Sequence, residues 1–387
     1  MTVSIGSGVS TEADGRVGAI EAATAARAGL GGAPADLAVV FASGSHLAAP
    51  EALLEGVYEA LLPAGLVGCG AGGVLGPGRE LEDRTAVAVW AAAFPGGSAQ
   101  TFHMTAAPVG DGAAIEGLPS LDGASALLLL PDPASFPTDD LLAVIAESWP
   151  GVPVMGGLAS APTPDGNGAL FHGREVIEAG AVGVRLEGVD VLPCVSQGAA
   201  PLGPELTITA AEGNIVHELA GMPALHKLRA VIDALPARER ALATDGLLMG
   251  IAVEPSHSEY GTGDFLVRGL VGADPETGAL AVGALVETGQ IVRLHARDAA
   301  SADRDFADAL ALRAQALGGT PPAGALCFTC NGRGQTMFGE PDHDAGALAL
   351  ALQDAPTAGF FAAGEIGPVG GQSFLHGFTA TVAIFPE

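Results

Sequence analysis

Charged residues set between glycines near the carboxyl end are the part of this chain best suited to chemistry. Asn331-Gly332-Arg333-Gly334 directly follows the apolar run Ala325–Thr329, and Gly364-Glu365-Ile366-Gly367-Pro368 closes the next glycine-rich run. Flanking glycines let a ligand approach the backbone. An arginine fork can hold a carboxylate bidentately, and a glutamate can receive an ammonium group. Arg333 and Glu365 therefore suit a zwitterion such as an amino acid. They equally suit each other, as an internal ion pair ordering two loops, and the sequence leaves both readings open. Asn331, Gly334, Gly364 and His376 are the neighbours expected to complete such a ligand site.

Other chemistries have weaker patterns. Gly68-Cys69-Gly70-Ala71-Gly72-Gly73 has the spacing of a dinucleotide fingerprint, but strand and turn residues follow it, not the helix that would meet a pyrophosphate. Cys327-Phe328-Thr329-Cys330 is a C-x-x-C along a strand, so its two thiols point to opposite faces. It has neither the second pair that zinc wants nor the helix start that activates a redox cysteine. Ser45 and His46 are neighbours in sequence, which does not supply triad geometry. A hydrolase or redox enzyme using Cys330 or the Ser45/His46 pair stands as the alternative function. A subunit with no ligand, serving structure or assembly, stands as a second alternative. No catalytic residue, metal ligand or cofactor is expected.

These residues need a scaffold, and the apolar pattern supplies one. Leu37–Ala42 reads as a buried strand, Pro50–Leu62 as a helix, Gly65–Leu75 as an extended glycine-rich stretch, and Arg84–Phe94 as a further strand. The order returns at Ala126–Leu130, Asp139–Trp149 (with Thr138 as N-cap) and Val152–Ser160, with strands Val176–Arg185 and Val189–Ser196 after it. It returns again at Ala325–Thr329, Asp344–Leu352 and Gly359–Gly367, with Phe374–Phe385 as one closing strand that holds His376. Three rounds of one order suggest an internal repeat of a βαββ-like unit. Different material lies between the last two rounds: helices at Pro223–Leu235, Ala237–Ala243 and Asp298–Leu317 (with Ser301 as N-cap), and a hairpin turning at Asp274–Gly278. Near-continuous apolar strands imply sheets covered on both faces. The expected class is α/β, with mixed, glycine-rich sheets under helices, in a layered helix-sheet-sheet-helix arrangement or one doubly wound sheet. A boundary near 210 divides the chain into domains 1–210 and 211–387.

Composition narrows the partners. Sixteen basic residues against 44 acidic ones give a net charge of −28. Phosphate neutralisation needs clustered Lys or Arg, so no nucleic-acid partner is expected, and an anionic membrane surface would repel the chain. No apolar run approaches the length of a membrane span. Met1–Ser10 has neither the basic start nor the apolar core of an export signal. Cytoplasmic localisation with reduced thiols follows as the expectation.

The motifs in order resemble the FIST family, whose members pair an N-terminal and a C-terminal FIST domain. The N-terminal likeness runs through Phe41-Ala42-Ser43 with His46, Gly68–Gly73, Gly156-Gly157-Leu158-Ala159-Ser160, Gly180–Val184 and Ser196-Gln197-Gly198. The C-terminal likeness runs through Gly221–Ala224, Met249-Gly250-Ile251, Arg297-Asp298, Cys330–Gly334, Gly359–Pro368 and His376-Gly377-Phe378-Thr379. It spans about residue 35 to the carboxyl end. The resemblance implies a sensory, ligand-binding role in signal transduction, with amino acids as proposed ligands and no catalytic residue or cofactor. Many members carry attached output domains. This chain ends at Glu387 without room for one, so either a separate signalling partner protein or a stand-alone binder is expected.

Overall fold

The computed structural model describes residues 2–109, 112–253, 260 and 263–387. Two compact units emerge: Met1–Val195 together with Ala307–Glu387, and Ser196–Phe306. The class is α/β with mixed sheets, as the apolar pattern predicts.

The first unit holds three sheets, each built the same way. A parallel pair forms the centre: Leu37–Ser43 with Gly65–Ala71, Ala126–Pro131 with Val154–Gly157, and Gly324–Cys330 with Thr357–Ala362. Between the members of each pair runs a helix: Pro50–Ala60, Thr138–Ser148 or His343–Ala351. A later strand then returns antiparallel beside the first: Ala86–Ala93, Ala181–Glu187 or Ala380–Phe385.

The hairpin between these strands leaves its own sheet. The hairpin of the first segment, Gly73–Gly76 with Arg79–Glu82, adds to the sheet of the third segment. That of the second, Leu170–His172 with Glu175–Ile177, adds to the first sheet. That of the third, Glu365–Val369 with Gln372–His376, adds to the second. The exchange is therefore cyclic and closed, and no sheet is completed by its own segment.

Inward residues of all three sheets share one apolar core, including Phe41, Trp90, Leu128, Met155, Phe328 and Phe360. Helices cover the outer faces, as Leu53 and Val57 do for the first sheet and Leu141 and Ile145 for the second. Being covered on both faces explains why the central strands read as unbroken apolar runs.

One glycine recurs at the same point of each parallel pair. Gly68 faces Val40, Gly156 faces Leu129, and Gly359 faces Cys327. A β-carbon on any of the three would overlap the facing residue's carbonyl oxygen. On its other side each glycine pairs with the incoming hairpin, at Phe171, Ile366 and Leu75. Glycine is thus what lets the backbones close up where the exchanged hairpin joins. Alanine at 68, 156 or 359 should each cost about 1–3 kcal/mol by overpacking. Gly346→Ala, on a helix with open space around it, should instead stabilise by about 0.5–1 kcal/mol. Urea denaturation of the four variants checks this; equal effects at all four positions would refute the steric account.

Two expected helix caps are corrected. Helix Thr138–Ser148 starts at Thr138 itself, after Pro137 in the N-cap position. The Asp298 carboxylate, not Ser301, accepts the backbone N–H at the start of Ala299–Ala316, from Ser301. Aspartate is among the preferred N-cap residues. The predicted closing strand also divides, into Gln372–His376 and Ala380–Phe385, with Phe378 between them at φ 60°.

In the second unit, Ala200–Glu212, Ile291–Ala296, Leu247–Ala252, Phe265–Ala273, Leu280–Val282 and Ile215–Leu219 pair in that order, all antiparallel. The last also pairs with the first, which closes a barrel and leaves these strands no open edge. Its core holds Ile208, Val216, Met249 and Val292, with Leu225 and Leu228 from helix Ala224–Ala234. The predicted turn at Asp274–Gly278 forms: the Asp274 carboxylate accepts from the Glu276 N–H and the Thr277 hydroxyl.

Candidate functional site

The charged residues singled out from the sequence lie in the first unit, where strands Gly324–Cys330 and Thr357–Ala362 end. Arg333 turns inward immediately after the first of these and is fully buried. Its fork is held by Asp344: Nε donates to Oδ2 at 2.7 Å and NH2 to Oδ1 at 2.8 Å. Asp344 also accepts from the Thr329 hydroxyl, and His343 Nδ1 lies 2.9 Å from its Oδ1. Burial alone would push the Asp344 carboxyl up. The Arg333 charge and these hydrogen bonds more than offset that and hold it well below the usual carboxylate range. The Phe338 ring stacks on His343 and lies under the Arg333 guanidinium.

Gly334 makes this turn possible. It sits at φ 74°, and a β-carbon there would overlap the Glu82 carboxylate. That carboxylate accepts the Gln335 N–H at 2.9 Å.

Glu80 joins the same cluster from the exchanged hairpin. It is buried beside Asp344, and its Oε1 accepts the Asp344 and Ala345 N–H groups at the start of helix His343–Ala351. Its Oε2 is buried with no hydrogen-bond partner. Burial, and then the neighbouring Asp344 charge, raise the Glu80 carboxyl to about 7. The two helix N–H bonds only partly oppose this.

Glu365 is fully buried within reach of the Arg333 charge. Its Oε2 accepts from the Thr379 N–H at 2.9 Å and the Thr379 hydroxyl at 2.7 Å. Among the described residues no N–H or hydroxyl donates to its buried Oε1, and the Cys330 thiol is a weak hydrogen-bond partner of the carboxyl. Burial raises its carboxyl to about 7, against the pull of Thr379, Cys330 and Arg333. Burial, then the Glu365 charge, push the Cys330 thiol up to about 11, although the Gly332 and Phe378 N–H groups both donate to Sγ.

His376 ends the hairpin strand directly opposite Glu365. Its Nε2 lies 2.9 Å from the Gly367 carbonyl, which places a proton on that nitrogen. Gly364 is packed among Leu158, Leu375 and the His376 carbonyl.

Asn331 is exposed at the rim. Its Oδ1 faces Gly72, whose N–H donates to the Ser160 hydroxyl. That hydroxyl donates in turn to the Phe361 carbonyl. Gly72, Ser160 and Asn331 come from the three different segments, so strand ends from all three meet here.

The structure thus brings Arg333, Glu365, Gly334, Gly364, Asn331 and His376 into one region, with Arg333 engaged by Asp344. It adds Glu80 and Asp344, which the sequence reading missed. The alternative nucleophiles lie elsewhere or are blunted. The Ser45 hydroxyl pairs with Thr85 at 3.0 Å, and His46 Nε2 is buried without a hydrogen bond. Cys327 and Cys330 are free thiols, and burial also pushes Cys327 well above its ordinary value.

The chain is a mixed α/β scaffold with a buried, glycine-framed ionic cluster at its strand ends, and its hairpins are exchanged between sheets. Two family models, the FIST N domain over residues 36–222 and the FIST C domain over 224–368, match nearly all of it. The chain belongs to the FIST family, whose domains are generally sensory domains of signal transduction. An uncharacterized protein of Mycobacterium tuberculosis is 46% identical over 384 residues, covering 99% of this chain and 100% of the relative. An uncharacterized protein of Mycobacterium bovis is 43% identical over 384 residues, with 99% of each covered. Among the described residues no helix is long and apolar enough to cross a membrane.

Proposed function

We propose that this chain is a cytoplasmic sensory protein that binds a small polar metabolite, an amino acid among the candidates, and passes the signal to a partner protein. The ligand site lies where strands Gly324–Cys330 and Thr357–Ala362 end. Asn331 and Gly334 line its rim. Glu365, Gly364 and His376 form its floor, and Arg333 acts through Asp344 to hold the floor in shape.

One observation carries this reading. The three segments offer three equivalent junctions between a helix and an incoming hairpin, and one of them is ionic. The first packs Leu53, Leu54 and Val57 around Phe171, and the second packs Leu141, Leu142 and Ile145 around Ile366 and Leu375. The third places Glu80 against Asp344, which Arg333 holds. An apolar junction suffices for folding twice, and buried charge is costly. Retaining it once fits a functional site better than a structural need. We read the three segments as copies of one repeated unit, two of which serve as scaffold.

The enzyme reading gains nothing from the geometry, because the Cys330 thiol is held protonated and Ser45 pairs with Thr85 instead of His46. Mass spectrometry of small molecules copurifying with the protein, followed by thermal-shift screening of a metabolite panel against the dialysed chain, tests the proposal. A raised Tm for a polar metabolite is the expected result. No shift across the panel, with nothing copurified, would remove it.

A further inference from the structure

The sequence suggests Arg333 for a ligand's carboxylate and Glu365 for its ammonium group, and the structure separates these two roles. The Arg333 fork already holds a carboxylate, that of Asp344, in a bidentate pair. A ligand carboxylate would have to displace Asp344 and leave that charge buried and unpaired, at severe cost. Glu365 differs. Thr379 satisfies one of its oxygens, and no N–H or hydroxyl among the described residues donates to the other, which is fully buried. The group beside it, the Cys330 thiol, is a weak donor. What this carboxylate lacks is a strong N–H donor.

An aromatic ring belongs to the same turn. Phe378 is about half exposed, and its ring lies against Gly332, where a β-carbon would clash with it. Its N–H donates to Cys330 Sγ, and the next residue, Thr379, holds Glu365. Its φ of 60° is a conformation that a bulky side chain adopts only under constraint. Ring and carboxylate together make the pairing that recognises organic cations. The net charge of −28 attracts cations and repels anions.

We infer that the ligand enters by its positive end: a small primary amine donates to Glu365 beneath the Phe378 ring, and no carboxylate on the ligand is required. This rests on the sensory reading above and fixes the chemical class for that site.

Isothermal titration calorimetry of the full chain at pH 8 tests it. The probes are linear alkylamines of two to six carbons, with carboxylic acids and 2-amino acids of matching lengths. At least one amine should bind, no carboxylic acid should bind, and no amino acid should bind more than a few-fold tighter than its matched amine. Glu365→Gln should weaken amine binding at least tenfold, and Phe378→Leu a few-fold. Urea denaturation at the same pH establishes that both variants are folded. Binding of acids or amino acids without amines would overturn the amine assignment and leave the sensory reading standing. So would equal amine binding by Glu365→Gln, or a thermal-shift ligand with no cationic group. Failure of every probe and of the whole metabolite panel would overturn both.

Discussion

Replacing Arg333 with alanine should destabilise the protein by about 3–5 kcal/mol, because it strands the Asp344 carboxylate in the interior. Asp344→Ala should cost a similar amount by stranding the guanidinium. Each of these groups is at most 1% exposed, and they meet through two hydrogen bonds. The double variant Arg333→Met/Asp344→Leu should recover much of that loss, since a buried pair can be replaced by apolar groups of similar volume at little net cost. The difference between the double change and the sum of the singles measures the coupling. Urea denaturation supplies all the numbers. If Arg333→Ala lost under 1 kcal/mol, the arginine would be spare in the folded protein and available to a ligand.

Mild acidification should stabilise the first unit through Glu80 and Glu365. Each carboxyl is raised from about 4.5 to about 7 on folding. The folded state therefore binds more protons than the unfolded state across that window. Their contribution is fully present below about pH 4.5 and is lost as pH rises through about 7, on the order of 1–3 kcal/mol for each group. His295 in the second unit acts in the opposite sense. Burial lowers it from 6.5 to about 4, so its contribution is present above 6.5 and lost as pH falls toward 4. The raw slope mixes these terms, and comparison with Glu80→Gln and Glu365→Gln separates them. Glutamine mimics the protonated carboxyl. Each variant should match the wild type near pH 5 and exceed it near pH 8, where the wild type carries the buried charge. The groups facing Glu365 are Cys330, Arg333 and Thr379, and those facing Glu80 are Asp344, Glu82 and the helix N–H groups. A stability difference that does not vary with pH would show that neither glutamate titrates in this range.

The central strands were legible because both their faces are covered, so 37–43, 126–131 and 324–330 read as unbroken apolar runs. The hairpin exchange was not. Local pattern marks Gly65–Leu75 as one extended glycine-rich stretch, but nothing in it sends Gly73–Gly76 to a partner strand some 280 residues further on. Arg333 and Glu365 stood out as charges among glycines. Their neighbours were disguised. Glu80 looks like the solvent side of a hairpin, and Asp344 looks like an ordinary acid in the first turn of a helix, where exposed carboxylates are common. The usable signal was Thr329, a hydroxyl in an otherwise apolar strand, which bonds to Asp344. His376 was assigned to a strand that continued to Phe385. Gly377, next to the left-handed Phe378, marks the break.

The cyclic hairpin exchange also sets an order of assembly during synthesis. The hairpin Gly73–Glu82 joins the chain at Gly359 and Phe360, so it emerges long before its partner strand exists. The first sheet waits for Leu170–His172, and the second for Glu365–Val369. The barrel strands, by contrast, find every partner between residues 200 and 296 and can close while the rest waits. Until the last hairpin is made, the nascent chain carries open, apolar sheet edges. The barrel can therefore close once Ile291–Ala296 has left the ribosome, while the first unit stays open until Glu365–His376 is made.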